Sequence, residues 1–420
     1  MLFLVCESLK MGGVQSLYLR LALESSKPIT IISLTESHDD AFIKSLHEND
    51  IPYFYYSDFS QWSIGTKRAT MANSIPLSSR KVLLQFNTPV SYFHVSSLSG
   101  AVFVHRLSKL IRNQSKVKLN VGIYHGLIFG WKSSFNTYYS RLSSEILKGF
   151  FGEFGVLFYN KVVQTSYEKK LGCALSGDII PIGIRVKNEV KERKSISQEP
   201  KIISIGRLVP YKSYNLNLIE LMPDLISQGF KFQFEIYGEG AYSTLLEEKV
   251  QSLGLGEYVK FKGLIEYSQI SKSFDDADFF IGCGTTLLEA SAEGVPSIIG
   301  IENMNQALTY GFLTDTSGYS YHEKDLEFPL LQLRDVIVKC LSLTPKEYEK
   351  LSISHRVRAR LFSIESSIAV LNSNYEKIEF YNPSEVNLNL FRLQLSIMFE
   401  QLTTILGVNK LYYNKIKIEN

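Results

Sequence analysis

Three short groups of residues in the second half of the chain have types and spacing suited to chemistry. The first is Gly206-Arg207-Leu208-Val209-Pro210-Tyr211-Lys212, directly after an apolar run at 201–205. Arg207 and Lys212 place two fixed positive charges at the end of an expected strand. An Arg fork and a Lys point charge suit phosphate oxygens. A departing diphosphate needs that neutralisation as its bond to a sugar breaks. The second group, Tyr237-Gly238-Glu239-Gly240, lets backbone approach a ligand closely, or simply makes a tight turn. The third is a Gly282-Cys283-Gly284-Thr285-Thr286 turn that runs into Leu287-Leu288-Glu289-Ala290 and ends at Gly294 and Pro296. Glu289 can accept hydrogen bonds from ribose hydroxyls, and a helix N-terminus beside it favours phosphate. Thr286 to Glu289 fits a capping box equally well, with Thr capping the helix and Glu reaching back.

The elements that must position these groups follow from the apolar pattern. Short apolar runs alternate with helical periodicity, which predicts parallel sheets with crossover helices. Expected strands in the first half are 2–6, 29–34, 82–86, 122–124 and 161–164. Val14, Leu17, Tyr18 and Leu21 form one helical face that opens after Gly12-Gly13. Residues 186–200 are polar and aperiodic and read as a linker. Alternation resumes with expected strands at 201–205, 232–237, 259–262, 278–281 and 296–299. The expected organisation is therefore α/β: an N-terminal Rossmann-like, acceptor-side domain (1–185), the linker, a second Rossmann-like domain (201–365) and C-terminal helices (366–420). In doubly wound sheets ligands bind at the carboxyl ends of the strands, and two such domains predict a central cleft. The stretch 387–406 is apolar but interrupted by Arg392 and Glu400. It reads as a helix packed across both domains, with a membrane-surface or dimer helix as the other reading.

Composition narrows the function classes. Among 420 residues, 45 Lys+Arg against 42 Asp+Glu leave a net charge of +3, too balanced for a nucleic-acid partner. Arg106, Lys109, Arg112, Lys116 and Lys118 cluster locally, as a solvated helix face or as a patch for anionic lipid or acceptor. Four scattered cysteines lack metal or redox spacing and read as reduced thiols of a cytoplasmic protein. No uncharged apolar run reaches the roughly 20 residues that span a bilayer, so the expected membrane contact is peripheral. The aromatic and basic residues around Phe129-Gly130-Trp131-Lys132 and Phe150-Phe151 fit such contact, or a core. Asp275-Asp276-Ala277-Asp278 reads as a helix end rather than a metal cluster.

Taken together, the Arg/Lys pair, the Gly-x-Gly turn and the Leu-Glu-Ala helix ended by Gly-x-Pro resemble the donor-binding domain of family-4 glycosyltransferases. These have the two-domain GT-B fold. The resemblance runs from about residue 201 to residue 299 and is weaker before it. It implies a retaining transfer from a nucleoside-diphosphate sugar as co-substrate, with no metal or other cofactor. The implied acceptor is a saccharide or a lipid-linked group at the inner face of the membrane, in bacterial surface polysaccharide synthesis (lipopolysaccharide, capsule or exopolysaccharide). Arg207 and Lys212 would contact the diphosphate and assist catalysis. Gly284, Thr285 and Thr286 would offer backbone N–H groups, Gly238 and Gly240 would border the donor, and Glu289 would hold the ribose. Gly12-Gly13 match the glycine turn between donor and acceptor, and His125 matches a histidine near the donor sugar. The family's first glutamate, eight positions before Glu289, is replaced by Ile281. That departure implies a donor sugar gripped by backbone, an unusual donor, or a silent nucleotide-binding scaffold.

Overall fold

Strands Leu2–Cys6 and Ile29–Ser33 are apolar and buried almost throughout, as parallel strands covered by helices on both faces must be. The computed structural model describes residues 1–124, 129, 135–149, 155–187, 191–266 and 269–409. It divides the chain into two units, Met1–Gly183 with Ile364–Asn420, and Ile184–Ser363. The linker stretch at 186–200 falls in the second unit. There Arg193 donates to the carbonyls of Ala277 and Glu293, and Asp278 accepts from Ser197 and from the Lys201 N–H.

The first unit runs β1 (Leu2–Cys6), α1 (Gly13–Glu24), β2 (Ile29–Ser33), α2 (Asp40–Glu48), β3 (Tyr53–Tyr55), α3 (Tyr56–Phe59), α4 (Ala69–Ala72), α5 (Ser79–Gln85), β4 (Val90–Val95), α6 (Leu98–Ile111), β5 (Lys116–Ile123), α7 (Tyr138–Gly149), β6 (Val156–Phe158) and α8 (Lys161–Leu171). The strands form a parallel sheet in the order β3-β2-β1-β4-β5-β6. Two expected strands are corrected. Residues 82–86 lie in and just after α5. Val82 and Phe86, four apart, are buried while Leu84 is 72% exposed, a helical pattern that a strand would reverse. Ser78 caps that helix by accepting from the Lys81 N–H. Residues 161–164 open α8, because Asn160 accepts from the Val163 N–H and caps it. The actual strands, β4 and β6, lie a few residues to either side.

The second unit contains β7 (Lys201–Ile205), α9 (Tyr214–Ser227), β8 (Gln233–Tyr237), α10 (Ser243–Ser252), β9 (Val259–Gly263), α11 (Ile270–Ser273), β10 (Phe279–Gly282), α12 (Thr285–Ala292), β11 (Ser297–Ile299), the short pair β12 (Leu308–Thr309) and β13 (Leu331–Gln332), α13 (Leu333–Leu341) and α14 (Pro345–Arg360). Its parallel sheet has the order β11-β10-β7-β8-β9.

The chain then rejoins the first unit through α15 (Ile364–Lys377) and α16 (Leu390–Ile405). Leu371 of α15 packs with α1 and α2, while Leu393 and Ile397 of α16 pack in the core on the other face of the first sheet. Polar contacts hold α15. Asn120 on β5 donates to Asn374 and to the Tyr92 hydroxyl, both at 2.6 Å, and its oxygen accepts from His94 Nδ1 at 2.7 Å. His94 Nε2 is left to accept from Tyr124 at 2.8 Å, which fixes the neutral Nδ1–H tautomer. The basic cluster also turns partly inward. Arg106 donates to Tyr56 and to the carbonyls of Asn73 and Ile75, and Lys118 lies 4.4 Å from the Tyr375 ring centroid.

Burial pushes His94 and His355 down from 6.5 to about 4. The unfolded chain takes up protons on both below about pH 6.5, and the folded chain resists until about pH 4. The neutral histidines therefore contribute stability that is complete above 6.5 and is lost as pH falls towards 4. Denaturant unfolding should show a midpoint that drops between pH 7 and pH 5, with a smaller drop in His355→Gln. A flat midpoint across that window would contradict the buried neutral state.

Candidate functional site

The second sheet has its topological switch between β7 and β10. From β7 the chain winds outward through β8 and β9, then crosses back to β10 and β11. A crevice at the carboxyl ends of two such strands is the expected ligand position. Two helices start there, α9 after β7 and α12 after β10. Neither N-terminus is capped by a side chain. Ser213, placed to cap α9, instead donates to the Met304 carbonyl. The first-turn N–H groups of both helices are thus left to solvent or to an anion.

Arg207 and Lys212 belong to this edge. Arg207 is exposed and donates to Tyr211 Oη at 3.2 Å. Lys212 is half-buried and its Nζ lies over the Gly206 backbone, 3.7 Å from where a Cβ would stand. Among the described residues neither cation forms an ion pair within 4.0 Å. Lys201 and Lys262, on strands of the same sheet, behave differently and share Glu235.

The Gly-x-Gly segment holds the β7 loop in place. The Gly206 N–H donates to Tyr237, Leu208 N–H to Glu239, and Tyr242 N–H to Leu208, each at 3.0 Å. Gly238 has φ +126, and a Cβ there would sit 2.0 Å from the Gly206 oxygen. A Cβ on residue 240 would sit 2.1 Å from the Leu208 oxygen. The glycines are therefore required by the approach of one loop to the next, whatever they do for a ligand.

The third group differs from a capping box. Only Cys283 and Gly284 connect β10 to α12, and Gly284, with φ +68, is the N-cap. Thr286 is inside the first turn, where its hydroxyl donates to Ile205 O at 3.0 Å. Glu289 lies on the second turn, half-buried. Gly294, at φ +76, ends the helix, and the Val295 N–H closes back on Ala290 O. The short connection also explains Ile281. Counting back eight residues from Glu289 lands inside β10, where Ile281 pairs with Ile298 and is fully buried in the core beneath α9 and α13. Ile281 is therefore a core residue of β10.

Sequence reasoning missed three neighbours. Glu302, beyond the end of β11, accepts from Cys283 Sγ at 3.4 Å. Tyr214 Oη lies 3.9 Å from the same sulfur, and its ring packs where a Cβ on Gly300 would be. Tyr321 Oη donates to Gly284 O at 3.0 Å. Glu302 could have been found by following the next apolar run to its end; the tyrosines carry no local signal. In the first unit, Gly12 is the N-cap of α1 with an extended backbone, and nothing stands within 4 Å of a Cβ on Gly13. His125 lies outside the described residues, as do Gly130, Trp131, Lys132, Phe150 and Phe151. Phe129 is fully buried. The structure thus brings Arg207, Lys212, Gly238, Gly240, Gly284, Thr285, Thr286 and Glu289 to one unit, with Gly12 and Gly13 in the other.

Two outcomes follow from this packing. Gly238→Ala should destabilise the chain by about 2–3 kcal/mol, since backbone rather than a flexible side chain must give way; an unchanged denaturation midpoint would refute the close approach. Burial pushes the Cys6 and Cys283 thiols up to about 12, and Cys340 further. A thiol reagent at pH 8 should therefore modify only the half-buried Cys173 in the native chain, and all four cysteines after denaturation.

Residues 186–307 match the family described as glycosyl transferases group 1. A GDP-mannose-dependent alpha-(1-6)-phosphatidylinositol monomannoside mannosyltransferase of Mycobacterium tuberculosis is 25% identical over 34% of this chain and 43% of its own length. An alpha-monoglucosyldiacylglycerol synthase of Streptococcus pneumoniae is 24% identical over 56% of this chain and 53% of its own. The chain thus spans about half or less of these curated relatives. The crystal structure of Anabaena Alr3699/HepE in complex with UDP and glucose superposes with a TM-score of 0.61 at 15% identity, over 89% of this chain and 99% of that one. The fold is GT-B, two Rossmann-like units with C-terminal helices, and within it the segment 186–307 is similar to the glycosyl transferases group 1 family.

Proposed function

We propose that this chain is a retaining glycosyltransferase. It moves a sugar from a nucleoside-diphosphate sugar to a saccharide or lipid-linked acceptor in bacterial surface polysaccharide or glycolipid synthesis. The observation that carries the reading is the pair of cations at the carboxyl end of β7, Arg207 and Lys212, without an ion-pair partner among the described residues and beside two uncapped helix N-termini. This is an environment for a diphosphate. Charge developing on the leaving group as the sugar departs is met by fixed dipoles and cations that need no rearrangement. Glu289 takes the ribose hydroxyls, and Gly238 and Gly240 let the β8 loop pass close to the donor. Gly12 and Gly13 are assigned to the border of donor and acceptor in the first unit, and His125 to a catalytic role near the donor sugar.

The lipid-linked acceptor is supported by the names of the mycobacterial and pneumococcal relatives, which specify glycolipid substrates or products. No helix among the described residues is long and apolar enough to cross a membrane. We assign the chain to the cytoplasm, in peripheral contact with the inner membrane face, a reading that the glycolipid names of these relatives support.

A panel of nucleoside diphosphates should raise the melting temperature for one base, and the matching sugar donors should release that diphosphate when a membrane extract supplies acceptor. Arg207→Ala should weaken the diphosphate about tenfold or more, as loss of a charge-assisted bond does. Glu289→Gln should weaken the nucleoside diphosphate by several-fold, with little change for inorganic pyrophosphate, which lacks the ribose. Stabilisation by no nucleotide at all would sink the reading, and binding without turnover across a broad donor panel would point to a silent scaffold.

A further inference from the structure

α16 has a sided surface that the core does not use. Leu393, Ile397, Thr403 and Thr404 face inward. On the opposite side Phe391, Leu395, Met398, Leu402 and Ile405 recur at steps of three and four residues, so they form one stripe about a quarter of the helix circumference wide. Their exposures, 73% at Phe391, 64% at Met398 and 81% at Ile405, are those of side chains with nothing over them. Leu406 continues the stripe past the helix end at 66% exposed. An apolar face this long and continuous on a single helix marks an interaction surface rather than scattered exposure.

Charge decides what the surface fits. The only acid on α16, Glu400, is fully buried, where it accepts from Thr137 Oγ1 and Asn409 Nδ2. The outward face therefore carries no negative charge, although the helix sequence contains one. Its flanks are positive. Arg392 is exposed on the helix, and exposed Arg68, just before α4, reaches Gln401 at 3.4 Å. In the sequence alone, the stretch 410–420 after the helix carries Lys410, Lys415 and Lys417 against Glu419. An apolar stripe bordered by cations is the chemistry of a helix lying in the headgroup region of an anionic bilayer. A second copy on a two-fold axis would bring the same uncompensated positive rim against itself, which like-charge repulsion disfavours.

We propose that the outward face of α16 docks the chain flat onto an anionic lipid surface. This rests on the reading that the acceptor is membrane-linked, and it names the surface that meets the membrane. The full-length chain should float with vesicles of phosphatidylglycerol in phosphatidylcholine and stay behind with phosphatidylcholine alone. Leu395→Gln/Met398→Gln/Leu402→Gln should lower the bound fraction about tenfold, with an unchanged melting temperature because the three side chains are exposed. Arg68→Gln/Arg392→Gln should weaken binding and flatten its dependence on salt. Wild-type chain that ignores the anionic vesicles, or a triple variant that floats as well as wild type, would overturn the proposal. So would a dimer in light scattering that the triple variant dissolves while vesicle binding is absent throughout. Stabilisation by nucleoside diphosphate is read separately on the same variants. Its retention with loss of vesicle binding assigns α16 to docking alone, whereas its absence from wild type fails the donor-site reading and leaves the vesicle result standing.

Discussion

Parallel strands deliver their loops to one edge of a sheet, and every candidate donor residue of this chain depends on that constraint. β7, β8 and β10 each run into a short connection at the same edge, so residues far apart in sequence are gathered without any long loop. The gathering is tightened by backbone contact. The β7 and β8 loops are hydrogen-bonded side by side, and a Cβ on either glycine of the Gly-x-Gly segment would collide with a carbonyl of the other loop. Arg207 and Lys212 are held on a loop whose course is set by main-chain bonds, and neither side chain forms an ion pair among the described residues.

The same edge leaves helix dipoles uncompensated. α9 and α12 both begin without a side-chain cap: Ser213 is drawn to the Met304 carbonyl, and the cap position of α12 is Gly284, which has no side chain to offer. The forgone cap at Ser213 costs about 1 kcal/mol of local helix stability, and glycine in place of a capping side chain on α12 about a few tenths. The sheet tolerates this because α9 and α12 are anchored by buried apolar faces, Leu218, Ile219 and Met222 on one and Leu287 and Leu288 on the other. A protein that binds an anion at a helix N-terminus must leave that terminus open in its absence.

How much could be read beforehand varies with the range of the interaction. The segment 201–299 was legible because each strand there is a short apolar run followed by its own glycine turn. In the first half the same reasoning misplaced two strands. Residues 82–86 and 161–164 are β-branched or leucine-rich at their starts, but the deciding features are Ser78 and Asn160, one polar residue upstream that caps a helix in each case. The meaning of Ile281 also changed. Aligning by count from Glu289 made it a missing carboxylate, whereas a two-residue connection puts it in the middle of a buried strand. Spacing along a chain becomes position in space only once the loop length between two elements is known.

By itself, the sequence determined the α/β alternation, the glycine turns and the two cations, since each is a local pattern of side-chain size, backbone freedom or charge. Only the tertiary structure decided which of these meet. It turned Thr286 from a cap into a bond to the neighbouring strand, and placed Glu302 beside Cys283. It returned the C-terminal helices to the first unit, with Glu400 inward and the apolar stripe of α16 outward. The reason is that burial belongs to a surface assembled from distant segments: one helix has two faces, and nothing within its own residues says which of them the rest of the chain will cover.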